Sequence, residues 1–381
     1  MFHNLLLKIG GFILGTLSLL FPFFGSTTLT YQSVSSTTPQ VAGEISTSTT
    51  TTIVEKATST QATTQKKVSP PVTSKKIVAK VPPIVTPTQP TLTQAQLSSL
   101  FDQINSLTRN TLVNIFCTSQ SSDLFSSASG SGVVISGSGV ILTNAHIAQF
   151  LLLKDFNGQK NSISCIIRTG SPAYSAYNIK LVYISPTWIK DNSKVITEQD
   201  PTGTGEHDYA FLKITSRVDG TPVTDKIPYM PVNISDSMNV GDNALLASYP
   251  AGFLGSIDIE KDLYQSSAIA QIHTLYTFAT DTVDLISVPG TVVSQKGSSG
   301  GAVVNSNGEL IGIITTSSDE DSTDARDLRA ITTGYINRDL INTAGTDLKT
   351  LLGNADSASD IFNQTIAPTL TKILTNSILN K

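Results

Sequence analysis

The segment whose residue types come closest to doing chemistry is Gly297-Ser298-Ser299-Gly300-Gly301. Small residues on both sides of a serine permit a tight turn, expose its hydroxyl and let backbone N–H groups converge on one point. A nucleophile beside an oxyanion hole has those requirements. A chain rich in serine and glycine also builds such pentapeptides as plain flexible loops, so the segment has to be weighed with its possible partners.

Chain order supplies that weighing. The spacing fits GxSxG, the nucleophile elbow of α/β-hydrolases, but an elbow serine needs its histidine later in the sequence. All four histidines, His3, His146, His207 and His273, precede Ser299. An Asp-before-His order belongs to an α/β fold. The order His, Asp, Ser remains. His146 ends Gly139-Val140-Ile141-Leu142-Thr143-Asn144-Ala145-His146, just past an apolar strand, and Asp208 opens Asp208-Tyr209-Ala210-Phe211-Leu212-Lys213-Ile214. Singly, each has an ordinary reading: a packed histidine, an aspartate at a turn. Together, in one order, the three residues are far more specific.

The elements that must position them are strands. From about residue 112 to 335 the chain is a series of short runs rich in Val and Ile, separated by Gly, Ser, Asn and Pro. Leu112–Thr118, Gly132–Ser136, Val140–Thr143, Ser162–Arg168, Ile179–Ile184, Tyr209–Ile214, Ala244–Ser248, Ala302–Asn305 and Leu310–Thr315 are examples. No long helical pattern intervenes, which favours an all-β barrel or sandwich over a parallel α/β sheet. A helix is expected before the strands, where Thr93 and Gln96 fit a capping box ahead of Leu97, Leu100, Phe101, Ile104 and Leu107. A second helical region is expected after about Asn337, with Ser357 and Asp360 opening a segment that carries Ile361, Phe362, Ile366, Leu370, Ile373 and Leu374, interrupted by Pro368.

Composition narrows the function classes. Of 381 residues only 14% are charged, against roughly 25% in a typical soluble domain. The net charge of -4 argues against nucleic acid as a partner. Two cysteines cannot make a zinc ribbon or a disulfide-dense scaffold, and neither GxxxxGK[ST] nor HExxH occurs. No cofactor is called for, and no metal: the acidic loop Asp319-Glu320-Asp321…Asp324 could hold calcium but reads more simply as a solvated surface loop. The charge is uneven. Residues 1–93 hold seven lysines and two glutamates, a balance of +5, which leaves -9 for the rest.

That asymmetry marks an amino-terminal anchor and stalk. Ile9–Phe24 is apolar and uncharged, preceded by Lys8. Residues 1–25 therefore read as an export signal or a membrane anchor, with the remainder extracytoplasmic by the positive-inside rule. The bulky Phe21-Pro22-Phe23-Phe24 fits a signal-peptidase site poorly and favours the uncleaved anchor. Residues 26–92 are rich in Ser, Thr, Pro and Lys and read as a disordered linker.

With these motifs in hand, a resemblance is plain. The chain resembles the chymotrypsin-fold, trypsin-like serine peptidases, especially their bacterial HtrA/Deg-like branch. Gly130-Ser131-Gly132-Val133 with Leu142-Thr143-Asn144-Ala145-His146 is similar to that family's GSG…LTNxHV region. Asp208–Lys213 is similar to its D[IL]AxLK strand, Gly241-Asp242 with Ala244–Pro250 to its VGDxVxAxGxP segment, Gly297–Gly301 to GNSGG, and Gly308–Ile313 to GxxIGI. The resemblance implies a double six-stranded β-barrel with flanking helices, spanning a peptidase domain at 93–336 with a C-terminal extension at 337–381. It implies that His146 is the general base, Asp208 orients it and Ser299 attacks the peptide carbonyl of a protein or peptide substrate. The backbone N–H groups of Gly297 and Ser299 would hold the oxyanion. A catalytically idle module that keeps the fold for binding is the alternative.

Three departures from that family matter. Ser298 replaces the aspartate of trypsin-like zymogens, so no newly cut amino terminus can form the activating ion pair. Val293 stands where Arg/Lys-cleaving relatives carry an acidic pocket floor, and Val293, Thr315 and Ser317 would line a neutral pocket. The 45 residues after Ile336 are too few for a PDZ domain. Cys117 and Cys165 fall in two predicted strands, and either one disulfide or two buried thiols fits an exported chain.

Overall fold

Thr93 caps a helix as its spacing from Gln96 anticipates: Gln96 N–H donates to the Thr93 hydroxyl at 3.3 Å, and Thr93 N–H donates to Gln96 Oε1 at 2.9 Å. The computed structural model describes residues 93–120, 127–198, 203–252, 256–279, 281–317 and 327–380. Among residues 1–92 it describes only the backbone of a two-residue strand, β1 (Lys75–Lys76). The anchor, the linker and the acidic loop at 319–324 therefore lie outside the described residues. Among the described residues no helix is long and apolar enough to cross a membrane.

Helix α1 (Gln94–Thr111) runs directly into a closed antiparallel barrel. Its strands are β2 (Leu112–Ser119), β3 (Ser127–Val134), β4 (Val140–Thr143), β5 (Ile163–Thr169), β6 (Tyr174–Ile184) and β7 (Ala210–Arg217), ordered β2-β3-β4-β7-β6-β5. Short helices α2 (Ala145–Ala148) and α3 (Pro186–Asn192) sit in its connections. The apolar runs foreseen in the sequence supply the interior, with Ile115, Val133, Ile141, Leu142, Ile167 and Phe211 fully buried. Cys117 on β2 lies directly opposite Cys165 on β5, and their sulfurs, 2.05 Å apart, form a disulfide across the two strands.

The second sheet contains β8 (Asn243–Ser248), β9 (Ser266–Gln271), β10 (Thr274–Thr277), β11 (Leu285–Pro289), β12 (Ala302–Val304), β13 (Leu310–Ser317) and β14 (Asp327–Thr332), with α4 (Ser256–Lys261) between β8 and β9. Its order is β1-β10-β11-β14-β13-β12-β8-β9. Among the described residues it is not closed by hydrogen bonds, though β9 curls round towards β11. No side chain of β9 is buried, so little apolar surface rewards closing its outer edge. The architecture is a chymotrypsin-type pair of barrels, one closed and one a curled half-barrel.

The terminal helices cross-brace the two halves. Helix α1, which enters the first barrel, packs against β8 and β12 of the second through its buried residues Phe101 and Ile104. After the second sheet come α5 (Thr333–Ala344), α6 (Leu348–Gly353), α7 (Ala355–Thr365) and α8 (Ala367–Leu379). Helix α7 returns to β6 of the first barrel. There Ser359 Oγ and Asn363 Nδ2 both donate to the Leu181 carbonyl, at 2.7 and 2.8 Å, and Phe362 packs on Tyr183.

Helix onsets differ from the sequence expectation. α5 begins four residues before Asn337, because the Thr332 hydroxyl accepts the Tyr335 N–H. α7 begins at Ala355 rather than Ser357, and the break before Pro368 falls at Ile366. Of the apolar residues of this segment, Ile361 and Ile366 are exposed, whereas Phe362, Leu370 and Leu374 are buried.

Candidate active site

Strands β4 and β7 pair antiparallel with Thr143 opposite Ala210. Asn144-Ala145-His146 continues past the end of β4, and Asp208 precedes the start of β7, so the register puts both side chains at one edge of the barrel. His146 Nδ1 lies 2.7 Å from Asp208 Oδ2, and His146 N–H donates to Asp208 Oδ1 at 2.9 Å. Asn144 Nδ2 donates to the Asp208 carbonyl at 2.9 Å. The Asp208 side chain is 5% exposed and that of His146 is 23% exposed, so the carboxylate is enclosed while the imidazole keeps a face to solvent.

A tight turn brings Asp208 to this position. Gly205 has φ +86°, and a Cβ there would lie 2.9 Å from Thr315 Cγ2, so the close approach to β13 requires glycine. His207 is also left-handed, with φ +60°. Across this contact Thr315 Oγ1 donates to Asp208 Oδ2 at 2.8 Å. The carboxylate thus accepts three hydrogen bonds, one of them from the second sheet.

Strand β13 also carries the link to Ser299. Ile314, next to Thr315, accepts the Gly300 N–H on its carbonyl at 2.8 Å and donates its own N–H to the Gly301 carbonyl at 2.9 Å. A Cβ on Gly300 would lie 2.1 Å from the Ser131 carbonyl oxygen and 2.5 Å from Thr143 Oγ1. The serine loop therefore sits against the strand end that leads into His146. Ser299 itself is half-buried. Among the described residues no hydrogen bond joins its hydroxyl to His146.

The backbone of the loop can be accounted for group by group. Ser298 N–H donates to the Gln295 carbonyl at 3.1 Å, Gly300 N–H to Ile314, and Gly301 N–H to the Ser298 carbonyl at 2.9 Å. The Lys296 carbonyl accepts from Ala251 N–H at 2.7 Å. Among the described residues the N–H groups of Gly297 and Ser299 have no protein acceptor. Their peptides are pinned from the carbonyl side, through Lys296 O and Ser298 O, which fixes the direction of both donors. Gly297 adopts φ +91°, and a Cβ there would come within 2.8 Å of the Tyr249 carbonyl oxygen, so no other residue fits. Ser298, in place of an aspartate, is buried and accepts a hydrogen bond from Ser248 Oγ at 2.9 Å.

Two of the three residues assigned to a neutral pocket, Val293 and Thr315, are buried. Val293 is fully buried in the second sheet's core with Met238, Ala244 and Leu246, and presents no surface to a ligand. Thr315 is buried and its hydroxyl is engaged by Asp208. Ser317 ends β13, and its side chain lies outside the described residues. The contact from Thr315 to Asp208 was not foreseen; the one signal for it is a hydroxyl residue two positions after the Gly308–Ile313 motif. Among the described residues no cluster of His, Cys, Asp or Glu could hold a metal ion.

An enclosed carboxylate on an imidazole, facing a glycine-rich serine loop between two barrels, defines the class of protein. Residues 130–313 match the family model of the trypsin-like peptidase domain. The chain is similar to exfoliative toxin A of Staphylococcus aureus, 27% identical over 211 residues that cover 54% of this chain and 59% of the toxin. It thus spans about three-fifths of that relative. Among solved structures it is similar to the serine endoprotease from Yersinia pestis, with 23% identity, a TM-score of 0.40, and coverage of 64% of this chain and 66% of that one. It is also similar to Deg5, with 18% identity, a TM-score of 0.43, and coverage of 67% and 99%.

Proposed function

We propose that the chain is a serine endopeptidase that hydrolyses peptide bonds in proteins, with Ser299 as nucleophile, His146 as general base and Asp208 as the group that orients and charge-balances His146. The observation that carries this reading over an idle module is the pair of N–H groups at Gly297 and Ser299. Among the described residues they are the two donors of Gly297–Gly301 without a protein acceptor, and both are held by the opposite ends of their peptides. A binding module has no need to keep two oriented donors beside a serine.

In the proposed cycle the substrate carbonyl seats its oxygen on these two donors. His146 Nε2 removes the Ser299 hydroxyl proton as Oγ bonds to the carbonyl carbon, and the negative charge moves to the oxygen at the donors. The imidazolium formed is stabilised by Asp208, which stays ionised. Collapse of the intermediate breaks the C–N bond, and His146 gives its proton to the departing amine. Water then repeats the sequence on the acyl ester, regenerating Ser299 and releasing the acid. The Oγ to Nε2 hydrogen bond is of the kind that tightens only when substrate is present.

The test is covalent labelling of the purified full-length chain with a fluorophosphonate, beside Ser299→Ala and His146→Ala. Labelling of the wild type alone is expected, with each substitution lowering the reaction by about 10⁴-fold or more. A folded wild type that takes no label sinks the proposal. Residues 1–25 are proposed as the export signal or anchor that places the domain outside the cytoplasm on its 26–92 linker. Recovery of the full chain in the carbonate-extracted membrane pellet, and its loss from that pellet on deletion of residues 1–25, would support the anchor.

A further inference from the structure

Ser131, on β3 of the first barrel, is fully buried, yet its polar groups are directed at the serine loop and the residues around it. Its N–H donates to the Ser299 carbonyl at 2.8 Å. Its hydroxyl donates to the Gly297 carbonyl at 2.8 Å and accepts the Tyr249 N–H at 2.9 Å. Its carbonyl receives the Thr143 hydroxyl at 2.7 Å, and Gly300 packs directly on that carbonyl. One residue of one barrel thus touches the loop of the other at positions 297, 299 and 300.

Tyr249, the third partner, is itself fixed. Its phenol donates to the Gly170 carbonyl at 2.8 Å and accepts from Gln265 Nε2 at 2.9 Å, and burial pushes its pKa up to about 12, so it stays neutral.

From this geometry we infer that Ser131 is a positioning residue that locks the Gly297–Ser299 backbone with its N–H donors turned outward. The inference rests on the proposed function and deepens it. Glycine at 297 permits the left-handed turn, but it also lets the flanking peptides rotate, so the turn has to be held from outside. With Ser298 where an aspartate would stand, no ion pair can hold it. The Ser131 hydroxyl is the side-chain group that fixes the peptide between the two proposed donors, because it grips the Gly297 carbonyl. The same hydroxyl ties that grip to the Tyr249 N–H, so the loop is referred to a rigid point of the second barrel as well as to β3.

The experiment compares full-length wild type with Ser131→Ala, using a fluorophosphonate as probe and separating the maximal labelling rate from the probe concentration at half-maximal rate. A loop displaced by about 1 Å can cost about 100-fold in rate. The expected result is a fall of about 10–100-fold in maximal rate, with the half-saturating concentration within about threefold of wild type. The melting transition should remain cooperative. Amide hydrogen exchange over residues 296–301 should accelerate, a change that general loosening of β3 would spread over its ladder instead. A folded Ser131→Ala that labels at the wild-type rate overturns the inference.

Should the alanine variant fail to fold, Ser131→Cys keeps a small side chain with a weak donor. Intermediate labelling then supports the inference, and wild-type labelling overturns it. A wild type that takes no label would sink the proposed function but still leave the exchange measurement to decide on the lock. Faster exchange at 296–301 in the variant supports it, and unchanged exchange refutes it.

Discussion

The two barrels hold their parts of the site by different means. The first is closed, crossed by the disulfide Cys117–Cys165, and covered along β6 by α7; it presents His146 and Asp208 as side chains at the ends of paired strands. The second is a curled half-barrel, and it presents Ser299 on a loop held almost entirely by backbone hydrogen bonds. The carboxylate of Asp208 sits on the covalently tied frame, where the proposed cycle needs it kept in place through each proton transfer. The proposed oxyanion donors sit on a turn at Gly297, where a Cβ would come within 2.8 Å of the Tyr249 carbonyl oxygen. Each half lends a hydroxyl to the other: Thr315 of the second reaches Asp208, and Ser131 of the first reaches the serine loop. The site therefore depends on the seam between barrels more than on either barrel alone.

The largest effect that would break this contrast concerns the disulfide. A loop closed over a sequence separation of 48 contributes about 4 kcal/mol in the chain-entropy model. Replacing both Cys117 and Cys165 by Ser should lower unfolding free energy by about that amount in a denaturant titration. Exchange protection at residues 296–301, measured well below the new midpoint, should stay as in wild type. Equal loss of protection in both places would show that the halves are not held independently, and the comparison would fail.

A smaller effect sharpens the seam. Thr315→Val keeps the shape of the side chain and removes one donor from an enclosed carboxylate. A hydrogen bond to a charged group is worth about 1.5–3 kcal/mol, so the labelling rate should fall by about 10–100-fold if that contact tunes His146 during reaction. A variant that labels at the wild-type rate would reduce Thr315 to packing.

How much of this was legible beforehand follows the same division. His146, Asp208 and Ser299 stood out because each closes or opens an apolar strand or lies among glycines, and such punctuation is local. Most strands of the first barrel were legible from their runs of Val, Ile and Leu, though β3 starts at Ser127, ahead of its apolar residues. The strands Ser266–Gln271 and Thr274–Thr277 were not, because each mixes small, polar and half-exposed residues without an apolar run. The direction in which Thr315 points was hidden for another reason. Which face a strand residue presents depends on register and bulges, and β13 shifts register against β14 between Ile314 and Thr316, beside Thr315. Ser131 was visible as a letter of a motif, but nothing local shows that its hydroxyl meets a carbonyl 166 residues away.

The smallest expected effect lies behind the orienting carboxylate of the proposed site. His207, next to Asp208, turns its ring to the second sheet's helix α5, with Nδ1 2.9 Å from Asp339 Oδ2, while its backbone N–H donates to the Tyr335 hydroxyl at 3.0 Å. Glu206 also faces the ring, 3.9 Å from Nε2, with Asp191 acting from further off. The hydrogen bond to Asp339 holds the His207 pKa above its ordinary value of 6.5, and burial opposes this only in part. A histidine whose folded pKa is raised contributes stability in full below its unfolded pKa and loses it as pH rises through the folded value. The chain should therefore melt at lower temperature as pH is raised from about 6.5 upward. His207→Asn, which tolerates the left-handed backbone but does not titrate, should flatten that slope. An unchanged slope in the variant would mean that α5 braces the Asp208 turn through Tyr335 and packing alone.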